Sequence, residues 1–147
     1  MSSLKKKIIW GIVLVLLMDV GIAVWALVYD LKSRFPNLDL SRSRFGVASW
    51  YSKKDKKINP ETANGEKFND QKMTCASWDY PFGERLIVVN ALTGKWVVCR
   101  VNDRGPNKRL YRTVDMTYAA FRKIANPKRG LIYATIIPTE KQKIVSA

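Results

Sequence analysis

Residues 8–28 restrict the possible folds of this chain more than any other stretch. They carry a single charge, Asp19, and thirteen of the twenty-one are Ile, Leu or Val. A helix built from them has no polar face, so it cannot serve as one wall of a soluble core. It is long enough to cross a bilayer. At about −0.3 to −0.6 kcal/mol each, the aliphatic residues outweigh one central aspartate at about +2.5 to +3.5 kcal/mol. The expected order is a basic amino end at residues 1–7, a transmembrane anchor at 8–29, a polar tether at 30–44 containing Pro36, a folded domain at 45–138 and a flexible tail at 139–147. Lys5, Lys6 and Lys7 before the span, against Lys32 and Arg34 after it, favour a cytoplasmic amino end. The competing reading is a signal peptide whose removal yields a secreted form. Such a peptide has a shorter apolar core and small residues at the cut, which Val24-Trp25-Ala26 matches poorly. Residues 1–35 contain no cysteine to carry a lipid.

The rest is one domain's worth of chain. From residue 36 onward there are 21 basic and 10 acidic residues, a net charge of +11. A field of that sign attracts anionic polymers. No nucleic-acid reading motif accompanies it, so nucleic acid is not the expected partner. The chain has no histidine and two cysteines. The commonest general base is therefore missing, and no metal or cofactor is implied.

Beyond residue 44 the pattern is mostly that of short strands. Apolar or β-branched runs occupy residues 45–51, 73–77, 85–90, 95–102, 113–116 and 130–138. Turn residues separate them: Pro81-Phe82-Gly83, then Thr93-Gly94 between two runs that read as a hairpin. Thr117 is placed to cap one helix over residues 118–125, which Asn126-Pro127 ends. Six short strands and one helix point to a small closed barrel.

The fourth run drives into Val101-Asn102-Asp103-Arg104-Gly105-Pro106. On its own this is a strand ending in a charged turn. A carboxylate at the mouth of a rigid strand is also well placed to move a proton. Asp115, two residues ahead of Thr117, reads as a structural acid that favours the helix dipole. Cys75 and Cys99 fall on separate strands. They form a disulfide if the domain is exported, or two buried thiols if it is not.

The motifs that run through the domain are Gly46-Val47-Ala48-Ser49-Trp50-Tyr51, Thr62-Ala63-Asn64-Gly65-Glu66, Met73-Thr74-Cys75-Ala76, Pro81-Phe82-Gly83, the Asp103 hexapeptide, and Val114-Asp115-Met116-Thr117 followed by Ala119-Ala120. Their order and spacing resemble the rare-lipoprotein-A family of double-psi β-barrels, related in fold to expansins and barwin-like proteins. The resemblance covers residues 45–138. It implies a mainly β fold: a six-stranded double-psi barrel with one or two short helices, preceded here by the single amino-terminal transmembrane helix. It implies peptidoglycan glycan strands as ligand and lytic transglycosylase activity, which cleaves between N-acetylmuramic acid and N-acetylglucosamine and leaves a 1,6-anhydro end.

Carried over residue by residue, the family's catalytic aspartate is Asp103 and its glutamate is Glu66. Its third polar residue, a histidine, is Ser77 here. Asn64, Arg104, Trp78, Tyr80, Trp50 and Tyr51 are the expected glycan contacts. Arg104 must turn away from Asp103, since a paired cation would strip the acid of its proton. Serine does not titrate near neutrality, so the alternative is an expansin-like barrel that binds peptidoglycan without cutting it. A membrane helix also stands where the name-giving members carry a lipidated cysteine.

Overall fold

The computed structural model describes residues 3–55 and 58–139. The expected tail beyond Thr139, the first two residues of the basic amino end, and two positions of the lysine-rich 52–60 loop lie outside the described residues. The chain divides into two compact units, Met1–Pro36 and Asn37–Ala147.

The first unit is helix α1, Ser3–Arg34. Its stretch Val13–Arg34 has a mean hydropathy of 2.0 and is long and apolar enough to cross a membrane. Helical backbone satisfies its own polar groups, which is what a spanning segment requires. The helix runs on through the first residues of the expected tether, where Asp30 and Arg34 pair at i,i+4.

The second unit is a closed barrel of six strands: β1 Arg44–Tyr51, β2 Thr74–Ala76, β3 Arg85–Asn90, β4 Trp96–Asp103, β5 Val114–Thr117 and β6 Ile132–Pro138. Around the barrel the order is β1-β5-β2-β4-β3-β6. β1 runs parallel to β5 and β2 runs parallel to β4; the other pairings are antiparallel. Closure leaves no unpaired edge.

Alternation along each strand builds the core. On β4, Val97, Cys99 and Val101 point inward, where they meet Leu86 and Val88 of β3, Val114 and Met116 of β5, and Ala134 and Ile136 of β6. Helix α2, Tyr118–Ile124, closes the core with Phe121 and Ile124, both fully buried. Each such side chain contributes about 1.5–3 kcal/mol of apolar burial. Thr117 holds the N-cap position, but its hydroxyl donates to the carbonyls of Lys72 and Thr74 instead of capping the helix. Cys75 and Cys99 are joined in a disulfide across β2 and β4, with Cα atoms 5.8 Å apart and neither residue exposed. Gly46 has a steric reason: a Cβ there would run into the Thr113 side chain, where β1 and the start of β5 close up.

Candidate active site

Asp103 is the last residue of β4 and is half-buried. One carboxylate oxygen, Oδ1, accepts the backbone N–H of Ala63 at 2.9 Å and that of Arg104 at 2.8 Å. Among the described residues, Oδ2 has no hydrogen-bond partner. One oxygen is thus fixed by backbone and the other is unengaged among the described residues.

Ala63 reaches Asp103 because residues 62–66 form a tight loop laid against the end of β4. The Thr62 N–H bonds to the Glu66 carbonyl at 2.8 Å and the Gly65 N–H to the Thr62 carbonyl at 2.8 Å. Gly65 has φ +84°, a left-handed conformation that side chains disfavour. The Asn64 N–H docks the loop on the Asn102 carbonyl at 3.3 Å. Glu66 completes the attachment. Its carboxylate takes a two-pronged pair from Arg100 at 2.7 and 2.8 Å, together with the amides of Asn64 at 2.8 Å and Asn102 at 3.1 Å. Led by Arg100, these donors hold Glu66 down at about 2, so it is an anion at any physiological pH. Its position in the structure is that of a fastener for the loop that orients Asp103.

Arg104 turns away from its neighbour. Its guanidinium donates to the carbonyls of Ser77 at 2.8 Å and Tyr80 at 3.0 Å, and lies 3.7 Å over the Phe82 ring. Ser77 is fully buried. Its N–H bonds to the Asp103 carbonyl at 3.2 Å, while its hydroxyl accepts from the Asp79 N–H at 3.3 Å and donates to the Thr113 carbonyl at 3.4 Å. That hydroxyl belongs to a turn and is spent on backbone.

The expected aromatic platform comes apart. Trp78 is 52% exposed, with its indole N–H on the Pro106 carbonyl at 2.7 Å and the Lys108 ammonium 5.3 Å over its ring. Tyr80 requires a correction: it is 3% exposed and its hydroxyl bonds to the Arg42 carbonyl, so its ring packs in the core. Trp50 packs edge-on against Tyr118 and its N–H is taken by the Pro127 carbonyl. Tyr51 stacks on Phe68. Its hydroxyl is buried with no hydrogen-bond partner. Burial pushes the phenol's pKa up, and the nearby carboxylates of Asp103 and Asp115 push it further.

Asp115 reads from the sequence as a structural acid, and its nearness to Asp103 is not visible there. It pairs with Ala76 of β2, whose other side pairs with Asp103, so one short strand separates the two acids. On its far side it pairs with Ser49 of β1. The Ser49 hydroxyl donates to its carboxylate, and Arg112 stands 3.6 Å away while donating to Ser49 at 2.8 Å. Burial outweighs that cation and raises the Asp115 carboxyl to about 6. The available signal was its alternation: Val114 and Met116 point inward, so Asp115 points to the same outer face as Ser49.

Residues 43–136 match the family described as lytic transglycolase (DPBB_1). The chain belongs to that family. Within it, the chain is 33% identical over 122 residues to the endolytic peptidoglycan transglycosylase RlpA of Rickettsia felis, covering 80% of this chain and 53% of that protein. It is 37% identical over 102 residues to the RlpA of Pseudomonas aeruginosa, 67% of this chain and 28% of that one. A probable RlpA of Nostoc is 40% identical over 93 residues, 63% of this chain and 24% of that one. The chain spans between about a quarter and about half the length of these relatives. Among solved structures, the Streptomyces papain inhibitor superposes with a TM-score of 0.52 at 19% identity, over 67% of this chain and 94% of that one. An expansin of Clavibacter michiganensis does so with a TM-score of 0.52 at 20% identity, over 67% and 51%. Both share the RlpA-like double-psi barrel as a fold.

Proposed function

We propose that this protein is a membrane-anchored peptidoglycan lytic transglycosylase, with α1 in the bilayer and the barrel on the extracytoplasmic side. The observation that carries the activity is Asp103: a carboxylate at a strand mouth with one oxygen locked by two backbone N–H groups and the other unengaged. The names of the RlpA relatives support the substrate class. The disulfide supports an oxidising compartment. The three lysines ahead of the apolar run support an amino end inside.

Cleavage needs a proton at the glycosidic oxygen and stabilisation of an oxocarbenium-like centre. In lytic cleavage the sugar's own 6-hydroxyl attacks the anomeric carbon. One carboxyl gives a proton to the leaving oxygen and then takes the proton of the 6-hydroxyl, so the enzyme ends as it began and no water is consumed. Asp103 is assigned that acid/base work. Glu66 serves through the loop it fastens, Trp78 is the aromatic surface for a sugar ring, and Asn64 lines the loop beside Asp103. A second division of labour is favoured by the Asp115 carboxyl at about 6. In it, Asp115 carries the proton while the Asp103 anion faces the cationic centre, since unlike surroundings set unlike roles for paired acids. A barrel that binds glycan without cutting it is favoured by Ser77, whose hydroxyl cannot replace an imidazole. A variant of the Clavibacter expansin has been solved with cellohexaose on the same fold.

The test uses the full chain in detergent with purified glycan strands, and mass spectrometry of the products. Anhydro-ended products from wild type, reduced at least about a hundredfold by Asp103→Asn, are the expected result. Products from both proteins in equal amount would remove Asp103 from the mechanism. Glycan retained without products would establish the binding barrel.

A further inference from the structure

One end of the barrel collects cations that, among the described residues, have no counter-ions. Between Glu84 and Asp103, and again between Asp115 and Glu140, the chain contains no acidic residue. The two stretches meet at the hairpin that joins β3 to β4. Asn90, buried at its base, donates to the Ile124 carbonyl at 2.9 Å and accepts from the N–H groups of Leu92 and Thr93 at 2.9 and 3.3 Å. This ties the hairpin to the end of α2. A cavity of about 380 Å³ lies between them, with Lys95, Arg122, Lys123 and Arg129 in its walls. Among the described residues none of these four takes part in an ion pair. The dipole of α2 accounts for two cations in its last turn. It does not account for Lys95 and Arg129 around the same hollow.

The rim of the cavity is apolar as well as basic. Leu92, at the hairpin tip, is 76% exposed. Outside the cavity's lining, the Tyr133 carbonyl takes the Ala91 N–H at 3.0 Å beside that tip, and the Tyr133 ring, 66% exposed, stacks on Phe45. A soluble anion gains nothing from an exposed leucine and tyrosine. The headgroup region of a bilayer rewards both the apolar tips and the cations.

We propose that this end of the barrel docks on anionic phospholipid, with Leu92 entering the boundary between headgroups and acyl chains and the cavity receiving a headgroup phosphate. The proposal rests on the reading of α1 as a membrane anchor. Leu38 bridges to Thr139 and the Asp39 N–H bonds to the Pro138 carbonyl at 2.9 Å, so residues 35–37 alone join α1 to the barrel; fully extended they reach no more than roughly 14 Å, which keeps the barrel within range of lipid. Asp103 stands at the other end of β4 from Lys95, eight residues and roughly 25 Å away. Docking by the hairpin end therefore turns the carboxylates away from the bilayer.

The experiment is hydrogen–deuterium exchange of the full chain in nanodiscs of phosphatidylcholine, with and without phosphatidylglycerol. Each cation near an anionic leaflet contributes about a factor of five in binding. Amides of residues 91–95 are expected to exchange at least about fivefold more slowly in the anionic discs, and the slowing is expected to disappear at high salt. The triple variant Arg122→Gln, Lys123→Gln, Arg129→Gln changes only exposed side chains; it is expected to lose the slowing while β3 amides stay protected, which reports that it is folded. Equal exchange in the two discs overturns the proposal. So does an equal slowing by inorganic phosphate on phosphatidylcholine alone, which assigns the cavity to a soluble anion. The anchor is read separately from Val13–Arg34: free exchange there, with residues 91–95 still slowed by anionic lipid, sinks the anchor and leaves docking standing. Protection there with an unchanged hairpin does the reverse.

Discussion

Glu66 and Asp115 are both carboxylates beside the strand end that carries Asp103, and their surroundings treat them in opposite ways. Glu66 accepts four hydrogen bonds, two from one guanidinium, and is held at about 2. Asp115 has one serine hydroxyl and a more distant arginine, is buried, and rises to about 6. A carboxylate saturated with donors is a fixed negative strut. One stripped of water with few donors exchanges a proton near neutrality. Charge type alone, as read from a sequence, does not separate the two.

The contrast is broken most sharply at Asp115. Asp115→Asn keeps an acceptor for Ser49 and removes the proton carrier. If Asp115 carries the catalytic proton, product formation falls about a hundredfold or more, and the loss of rate expected above about pH 6 in wild type is absent from the residual activity. The same variant reports on stability. The folded carboxyl binds its proton more tightly than the unfolded one does. Its contribution is therefore fully favourable below about 3.8 and is lost as pH rises through about 6. The cost of ionising it when buried is about 3 kcal/mol. Asp115→Asn is expected to gain up to about that amount at pH 7.5 and nothing at pH 3.5, measured by denaturant unfolding.

Glu66→Gln sharpens the other side. About a third of each partner's side chain is exposed in the Arg100 pair, so solvent discounts it, and the expected loss is about 1–2 kcal/mol. The sign of the pH dependence is opposite to that of Asp115. Stability from Glu66 is present above about 4.5 and is lost as pH falls toward about 2. Urea midpoints of wild type and variant converge at the acid end. Ser77→Ala is the smallest change. It removes a hydroxyl whose bonds are long, costs about 0.5 kcal/mol, and leaves activity unchanged. A loss as large as that of Asp103→Asn would make Ser77 a working substitute for the family histidine.

The strands were legible because β-branched runs and turn residues alternate clearly after residue 44, and each observed strand lies within two residues of its expected ends. Asp103 was legible from its place after such a run. Less visible were the features that depend on register. Arg100 and Glu66 are 34 positions apart and meet only because the 62–66 loop docks on β4. Asp115 looked like a helix-dipole acid because Thr117 looked like a cap; the Thr117 hydroxyl points elsewhere, and β1 and β2 bury Asp115. Tyr80, next to Asp79, was expected to contact glycan, yet the turn after Ser77 carries its ring into the core. Local polarity is a poor guide to burial where a chain doubles back within a few residues.

β2 is three residues long and entirely buried, paired on one side to the strand of Asp103 and on the other to that of Asp115. It therefore acts as a gauge block. Hydrogen-bonded backbones stand about 4.8 Å apart whatever side chains they carry, so one interposed strand sets the two acids' Cα atoms about 10 Å apart. Substitutions around them retune which oxygen holds a proton and how firmly. They leave the spacing of the two acids untouched, so a barrel of this kind can exchange the residue at 77 and still hold the same distance between them.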